Sequence, residues 1–240
     1  MSVDPPIPSP NIWSAPDIYE IENEGVDPDG AIWQAMAAVH DHHNERVLDV
    51  GCGSGYHLPI FARRAASVVG VEPHPPLLRA ASRRIVRLGL EHVHVVAGSA
   101  QRLPVADGSV DVLHARWAYF FGPGCEPGLR EVDRVLATGG TAFVIDNDAT
   151  RSTFGGWFTR AWPDFDPLAV ERFWRRQGWQ RSAVDMRWQF ATRGDLEAVV
   201  GIEFAPPMAR QILAEHPGSI VDYAVNVWHR THLADEDASR

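Results

Sequence analysis

The sequence predicts an α/β protein with a doubly wound, mostly parallel sheet, and three observations lead to this fold class. Apolar runs of strand length alternate regularly with helical segments between residues 46 and 146. Such alternation with short connections requires right-handed crossovers, which give a parallel sheet covered by helices on both faces. A glycine-rich turn follows the first apolar run, and two late strand-like segments lack a long crossover helix of the earlier kind. We therefore expect that late pair to lie antiparallel at the sheet edge.

The predicted elements follow one another in a regular order after a proline-rich arm. Five prolines within residues 1–16 exclude a helix or a central strand there. An alanine-rich helix is predicted at 30–43. The core is predicted to contain strands at 46–50, 67–72, 92–96, 110–115 and 141–146, with helices at 56–66, 75–88 and 126–137. The remainder is predicted to contain a helix that begins at Asp166, strand-like segments at 183–191 and 219–229, and helices at 194–204 and 207–215.

We interpret residues 1–240 as a single domain with four parts, because this length fits one large α/β domain. Residues 1–29 form the proline-rich arm and residues 30–150 a cofactor-binding core. Residues 151–180 are an aromatic-rich insertion and a candidate substrate lid. Residues 181–233 contain the C-terminal antiparallel strands and helices.

The charged residues exclude several functions. The formal net charge is −9, and all 22 basic residues are arginines. Without lysine there is no Schiff base to pyridoxal phosphate and no Walker A phosphate loop. The acidic balance argues against nucleic acid as a partner. No apolar run reaches the length of a membrane span, so we expect no membrane partner and a cytoplasmic protein.

Cysteine and histidine usage predicts neither disulfides nor a metal site. The two cysteines, Cys52 and Cys125, provide no disulfide framework, which agrees with a reducing compartment. His40, His42 and His43 cluster near a helix end, but no carboxylate or cysteine follows at a metal-ligand spacing.

The run from Val47 to Tyr56 predicts a buried strand that leads into a glycine turn and a helix. Glycines let the backbone approach a ligand closely, and free amides at a helix start favour an electron-rich group. Glu72 ends the next strand, where an acid can accept hydrogen bonds from both ribose hydroxyls. Two kinds of cofactor remain open on these residues. Nicotinamide and flavin sites use G-x-G-x-x-G, whose third glycine would be Tyr56, whereas S-adenosylmethionine sites use D-x-G-x-G-x-G.

Two further segments follow in a fixed order. Gly98 to Pro104 comes after the third strand, and Asp107 to Val112 leads into the fourth. With the glycine loop, these motifs make residues 46–146 resemble the class I S-adenosylmethionine-dependent methyltransferases, in particular the small-molecule type 11 branch. The resemblance implies a Rossmann-like methyltransferase fold with seven strands, the last one antiparallel. It also implies S-adenosylmethionine as cofactor and S-adenosylhomocysteine as product.

The resemblance assigns cofactor contacts to individual residues. Those at the methionine end would be Asp49, Gly51, Cys52, Gly53 and Gly55. Glu72 would bind the ribose, and Pro73 would pack near the adenine. The family commonly has an aspartate where this chain has Ser99, so the adenine contact falls to the segment of Ser99, Ala100 and Gln101.

The methyl acceptor is predicted to face the segment after the fourth strand. His114 is the candidate general base, with contact to the cofactor or packing in the core as open alternatives. Arg116 and Tyr119 are candidates to orient an acceptor carboxylate or hydroxyl. Trp117 and Trp157 are candidate lid residues, and Tyr19 of the arm is placed to close over the methionine carboxylate. The segment lacks the Asn-Pro-Pro-Tyr signature of enzymes that methylate amino groups on bases or glutamine.

The sequence leaves the acceptor, the atom methylated and the oligomeric state undetermined. We expect a small-molecule methyl acceptor. A catalytically silent module that binds the cofactor is one alternative to a methyltransferase. A nicotinamide-dependent oxidoreductase is the other.

Overall fold

The computed structural model describes residues 7–233, and these contain one seven-stranded mixed sheet. Strands β1 to β5 run parallel, and β7 is antiparallel to both of its neighbours, β5 and β6. The strand order is β3-β2-β1-β4-β5-β7-β6. The predicted fold class, with its antiparallel last strand, is confirmed. The strands are β1 Arg46–Val50, β2 Ser67–Glu72, β3 Val93–Ala97, β4 Val110–Arg116, β5 Leu136–Asn147, β6 Gln180–Gln189 and β7 Ile220–Thr231.

Helices cover the sheet, since its central strands are apolar on both faces. One core contains Phe61 and Phe154, and the other contains Leu129, Trp174 and Trp228. The helices are α1 Pro16–Gly25, α2 Ala31–Val39, α3 Leu58–Ala62, α4 Pro75–Arg87, α5 Glu126–Val135, α6 Ser152–Ala161, α7 Pro167–Arg176, α8 Arg193–Glu203 and α9 Pro206–Glu215. No helix within residues 7–233 is long and apolar enough to cross a membrane.

The amino-terminal region, predicted as a proline-rich arm over residues 1–29, contains a helix. Prolines 5 and 6 lie outside the described residues, but α1 begins at Pro16, where proline is tolerated at the first helical position. Ile18 and Ile21 of this helix pack against the core. A β-carbon on Gly25 would lie 2.7 Å from the ring of Phe190, so the helix ends in close contact with the segment after β6. Tyr19 therefore lies on a packed helix, not ahead of the first one.

Several predicted boundaries also move. The α2 helix ends at Val39, and the helix expected at 56–66 shortens to five residues in α3. The α5 helix stops at Val135 because Leu136 pairs with Val110 and begins β5. The insertion at 151–180 contains two helices, α6 and α7, separated by a turn.

The topology brings distant segments to one edge of the sheet. The carboxyl ends of β1 to β5 meet there, as in other doubly wound sheets. Because β7 runs the opposite way, its first half reaches the same edge, with Val225 paired to Asn147 at the end of β5. Helices α1 and α8 contact each other beside it.

Candidate active site

A cavity of about 430 Å³ opens at the carboxyl edge of the sheet. Two groups of residues form its walls. The glycine-loop side consists of Gly51–Ser54, Glu72, Pro73 and Gly98–Gln101. The helical side consists of Tyr19, Glu22, Phe158, Trp162, Glu203 and Tyr223, while Arg116–Tyr119 and Asn147 lie between the two.

Glycine is required in the loop after β1 because the backbone there adopts positive φ and neighbours approach closely. Gly51 has φ +72°, and a β-carbon on it would lie 2.5 Å from the Cβ of Ala118. Gly53 has φ +55°, and its β-carbon would lie 2.8 Å from the Cδ1 of Ile12. The loop backbone therefore lies in close contact with both the segment after β4 and the amino-terminal residues.

Glu72 is buried at the end of β2 and lines the cavity. Its Oε2 accepts from the backbone N–H of Gly53 at 3.0 Å, and its Oε1 accepts from that of His74 at 2.8 Å. Burial raises the pKa of Glu72, while the two backbone donors oppose that rise. An ionised carboxylate has about four lone-pair positions, so both oxygens can still accept hydroxyl groups. This geometry fits the diol of a ribose.

The remaining residues of the glycine-loop side complete a cofactor-sized wall. Pro73, Ser99, Ala100 and Gln101 line the cavity, as do Gly51, Cys52 and Gly53. Burial raises the pKa of the Cys52 thiol well above its ordinary value, so this residue is an uncharged filler. Trp13 closes the end of this wall by stacking on His74, with ring centroids 4.2 Å apart.

Three residues predicted to touch the cofactor lie outside the cavity walls. Asp49 and His114 are paired across β1 and β4 beneath the glycine loop, with Asp49 Oδ1 and His114 Nδ1 2.7 Å apart. His114 is fully buried against Trp33 and Phe61. It is therefore not placed to take a proton from a bound acceptor. Gly55 packs against Ala81 of α4.

The last residue of β4, Arg116, is a cation with an incomplete set of hydrogen bonds. Arg116 is 9% exposed, its guanidinium lies over the Trp117 ring at 4.4 Å, and its Nη1 is 3.4 Å from Nε2 of His57. Its Nε has no hydrogen-bond partner within residues 7–233. Burial lowers the pKa of His57 well below its ordinary value, so the neutral ring can accept from Arg116. The unpaired Nε suits an anionic group on a ligand.

Trp117 and Tyr119 occupy strained backbone positions in the segment after β4. Their φ values are +48° and +57°, which bulky residues rarely adopt. Such strain is held by the surrounding structure and concentrates at functional sites. Both side chains line the cavity.

The helical side contains two carboxyl groups in direct contact. Glu22 of α1 lies within hydrogen-bond reach of Glu203 at the end of α8. Glu203 also accepts from the side-chain amide of Asn11. Burial raises the pKa of Glu22 well above its ordinary value, and the neighbouring Glu203 raises it further. Burial also raises the pKa of Glu203. The pair therefore retains one proton where isolated glutamates have none.

Asn147 at the end of β5 links the segment after β4 to β7 through two hydrogen bonds. Its Oδ1 accepts from the Trp117 ring N–H at 2.7 Å and from the Tyr223 hydroxyl at 2.6 Å. Burial raises the pKa of Tyr223 well above its ordinary value, so its hydroxyl stays protonated and donates. Tyr19 lines the helical side, and burial raises its pKa as well.

The aromatic insertion contributes different residues from the predicted Trp157. That side chain is 4% exposed and packs edge-on against Phe204 and His216, which places it in the core. Phe158 of the same helix and Trp162, directly after its end, line the cavity. In the other core, Trp174 stacks on Trp228 and meets the ring of Trp179 edge-on.

Residues far apart in the chain form most of the wall that sequence reasoning missed. Their spacing in the sequence gave no signal. They are Ile7–Trp13, Glu22, Asn23, Tyr56, His57, Asn147, Phe158, Trp162, Glu203 and Tyr223. Within the described part of the chain, no three His, Cys, Asp or Glu side chains are grouped to hold a metal ion.

The strand order, the glycine loop and the buried Glu72 define the class of protein: a class I S-adenosylmethionine-dependent methyltransferase fold. Residues 48–144 match the type 11 family model described as a methyltransferase domain.

The chain is similar to several bacterial proteins. It is 32% identical over 104 residues to the uncharacterized methyltransferase YcgJ of Bacillus subtilis, covering 43% of this chain and 41% of that protein. It is 32% identical over 145 residues to the uncharacterized methyltransferase Rv3342 of Mycobacterium tuberculosis, covering 60% of this chain and 54% of that protein. The matched segment thus spans about half the length of these relatives or less.

Solved structures share the fold at lower identity. The crystal structure of YcgJ superposes with a TM-score of 0.63 at 17% identity, covering 86% of this chain and all of that one. Geranyl diphosphate C-methyltransferase from Streptomyces coelicolor A3(2) superposes with a TM-score of 0.56 at 16% identity, covering 82% of this chain and 76% of that one. At these identities the likeness concerns the fold alone.

Proposed function

We propose that the protein transfers a methyl group from S-adenosylmethionine to a small-molecule acceptor that binds at the helical side of the cavity. The buried carboxylate of Glu72 supports this proposal most directly. It is oriented by two backbone N–H groups, lies beside a loop that only glycine can form, and faces a cavity.

The residues of the glycine-loop side would hold the cofactor. Glu72 would accept from the ribose hydroxyls, the backbone at Gly51 and Gly53 would underlie the amino-acid portion, and Ser99 to Gln101 would contact the base. Arg116 would bind an anionic group through its unpaired Nε. The cofactor supplies a methyl group on a sulfonium, which is already a good leaving group.

The protein must then align the acceptor and exclude water. Phe158 and Trp162 supply apolar surface, and the amino-terminal residues 7–13 also line the cavity. Because the cofactor takes much of a cavity of about 430 Å³, the acceptor is a small molecule with an apolar body. Aromatic faces also suit the positive charge of the sulfonium.

Isothermal titration calorimetry with S-adenosylmethionine and S-adenosylhomocysteine tests the cofactor, with NADH as the control. We expect both sulfur compounds to bind at one site and NADH not to bind. Binding of NADH without either sulfur compound would overturn the proposal in favour of an oxidoreductase.

Transfer itself is tested separately. The protein is incubated with methyl-labelled S-adenosylmethionine and pooled small-molecule extracts, and labelled products are separated by mass. We expect at least one labelled small molecule. Tight cofactor binding with no labelled product from any extract would favour the silent binding module.

A further inference from the structure

The helical side of the cavity contains two carboxyl groups that nothing in the cofactor geometry uses. Glu22 is 6% exposed and lines the cavity, and its Oε2 has no hydrogen-bond partner within residues 7–233. Glu203 lines the cavity beside it. A buried carboxyl oxygen to which no neighbouring N–H or hydroxyl group donates is costly, and the second carboxyl beside it offers only the one proton that the pair shares. Such an arrangement is typical of a site completed by a ligand.

Three hydrogen-bond donors near the pair are already engaged. The Asn11 amide donates to Glu203, and the Tyr223 hydroxyl and the Trp117 ring N–H both donate to Asn147. The Nε of Arg116 is still without a partner and donates to neither carboxyl group. A ligand that fits must bring its own N–H or O–H donors.

The charges around the pair favour a cation over a neutral donor. The groups that face it are Tyr19 from α1, Tyr223 from β7, Asn11 from the amino-terminal segment and Arg116 from β4. Both tyrosines are uncharged. Arg116 is the only cation among these groups; its guanidinium stacks on Trp117 and its Nη1 is directed to His57. With one proton shared between two carboxyls, the pair carries one negative charge beside aromatic walls. Carboxylates and aromatic faces together are the surfaces that bind ammonium groups.

We propose that the acceptor carries a basic nitrogen, and that the Glu22–Glu203 carboxyl pair binds it as an ammonium group and takes its proton before transfer. This inference rests on the proposed methyl transfer and names its substrate class. The ammonium N–H bond breaks as an O–H bond forms on the pair, which leaves both carboxyls neutral. The freed nitrogen lone pair forms the N–C bond as the C–S bond breaks, and S-adenosylhomocysteine leaves.

The direction of proton transfer follows from the surroundings. Burial raises the pKa of both carboxyl groups, and the same burial disfavours the ammonium form of a bound amine. The two groups are thereby brought toward the same proton affinity. When the carboxyl pair takes a second proton, it loses its remaining negative charge, and burial in an apolar site favours that neutral form.

Three probes of one shape and different charge test the inference: benzylamine, benzyl alcohol and benzoate. Each is titrated into protein saturated with S-adenosylhomocysteine. We expect benzylamine to bind about tenfold or more tightly than the alcohol, as charge-assisted hydrogen bonds predict, and benzoate to bind weakest. Equal or tighter binding of the alcohol or of benzoate would overturn the inference, and so would no binding by all three.

Substitutions of the two glutamates test whether the preference for the amine probe depends on them. Glu203→Gln and Glu22→Gln should each reduce the amine-over-alcohol ratio at least several-fold and leave the affinity for S-adenosylhomocysteine within about twofold. The matched control is Glu197→Gln on the same helix as Glu203, where the glutamate is ion-paired to Arg193 at the surface. It should keep the wild-type ratio. A preference that survives in both site variants would contradict the role of the pair.

The two proposals fail separately. If S-adenosylhomocysteine binds but the amine probe is not preferred, only the proposal that the acceptor is an amine is overturned. Loss of S-adenosylhomocysteine binding in the wild-type protein removes the proposed function. The wild-type probe series decides the substrate class even if a glutamine variant does not fold.

Discussion

On the glycine-loop side of the cavity, Glu72 accepts a backbone N–H on each carboxyl oxygen, whereas on the helical side Glu22 leaves one oxygen without a partner in the described residues. The first carboxylate is positioned by atoms only two and nineteen residues away in the chain. The second meets Glu203 and, through it, Asn11, which are themselves 192 residues apart. One side is thus organised before any ligand binds, and the other has interactions left to make.

The largest expected effect concerns two tryptophans of the aromatic insertion, which differ in how deeply they are buried. Trp157→Ala should lower the free energy of unfolding by about 3–5 kcal/mol because this ring is buried in the core. Trp162→Ala should lower it by less than about 1 kcal/mol, since Trp162 is 43% exposed. Urea denaturation measures both. Equal losses would mean that α6 does not divide between core and cavity as described.

A matched pair of glycines tests the close approach in the loop. Gly51→Ala should cost roughly 2–4 kcal/mol of stability, because left-handed backbone strain adds to a clash with Ala118. Gly108→Ala has a similar φ of +60° but nothing within 4 Å, so it should cost about 1–2 kcal/mol from strain alone. Only the Gly51 variant should also weaken binding of S-adenosylhomocysteine in calorimetry. Comparable binding by both variants would show that the loop is not part of the cofactor site.

Removal of the Glu72 carboxylate should weaken the cofactor site more than any change on the helical side. Glu72→Ala should lower the affinity for S-adenosylhomocysteine by about 30- to 100-fold, or roughly 2–3 kcal/mol, because ribose hydroxyls and two backbone donors lose an acceptor. Glu91→Ala, at an exposed loop position, is the control and should bind normally. A larger loss from Glu22→Gln than from Glu72→Ala would reverse the assignment of the two sides.

The smallest effect concerns the dependence of stability on pH. The folded-state pKa of Glu22 lies well above its ordinary value, so its contribution to stability is full below about pH 4.5 and falls as pH rises. Glu22→Gln should therefore gain stability relative to the wild type as pH rises, with a larger gain at pH 8 than at pH 5. Urea titrations at the two pH values give the difference. An equal gain at both would show that the carboxyl is not buried beside Glu203.

The same contrast explains what the sequence could predict. The glycine loop, Glu72 and the segment from Ser99 to Gln101 each follow a strand, so their place at one sheet edge follows from topology alone. The antiparallel β7 was predictable from the missing crossover helix. The burial of Glu22 was not predictable, because the prolines up to residue 16 argued against a helix in that region. The burial of Glu203 was not predictable either, because a glutamate at a helix end is usually solvated. Trp157 lies within α6 and is buried, whereas Trp162 follows the end of the helix and is exposed. The number of aromatic residues in this segment does not reveal that difference.

His114 shows the limit of reasoning from strand ends. Its position near the end of the fourth apolar run suggested a group that faces the ligand. His114 and Arg116 lie on the same face of β4, since side chains two positions apart share a face. His114 is further from the strand end and is fully buried, with Asp49 of the neighbouring strand as its partner. The residue that does face the cavity is Arg116, two positions later.

The amino-terminal residues form part of both cavity walls at once. Asn11 bonds to Glu203, Ile12 lies against Gly53, and Trp13 stacks on His74. A purification handle fused before Met1 would be separated from this piece of wall by only six residues. We expect such a handle to change measured affinities even when every side chain of the pocket is intact, so tag-free protein is the proper material for the titrations.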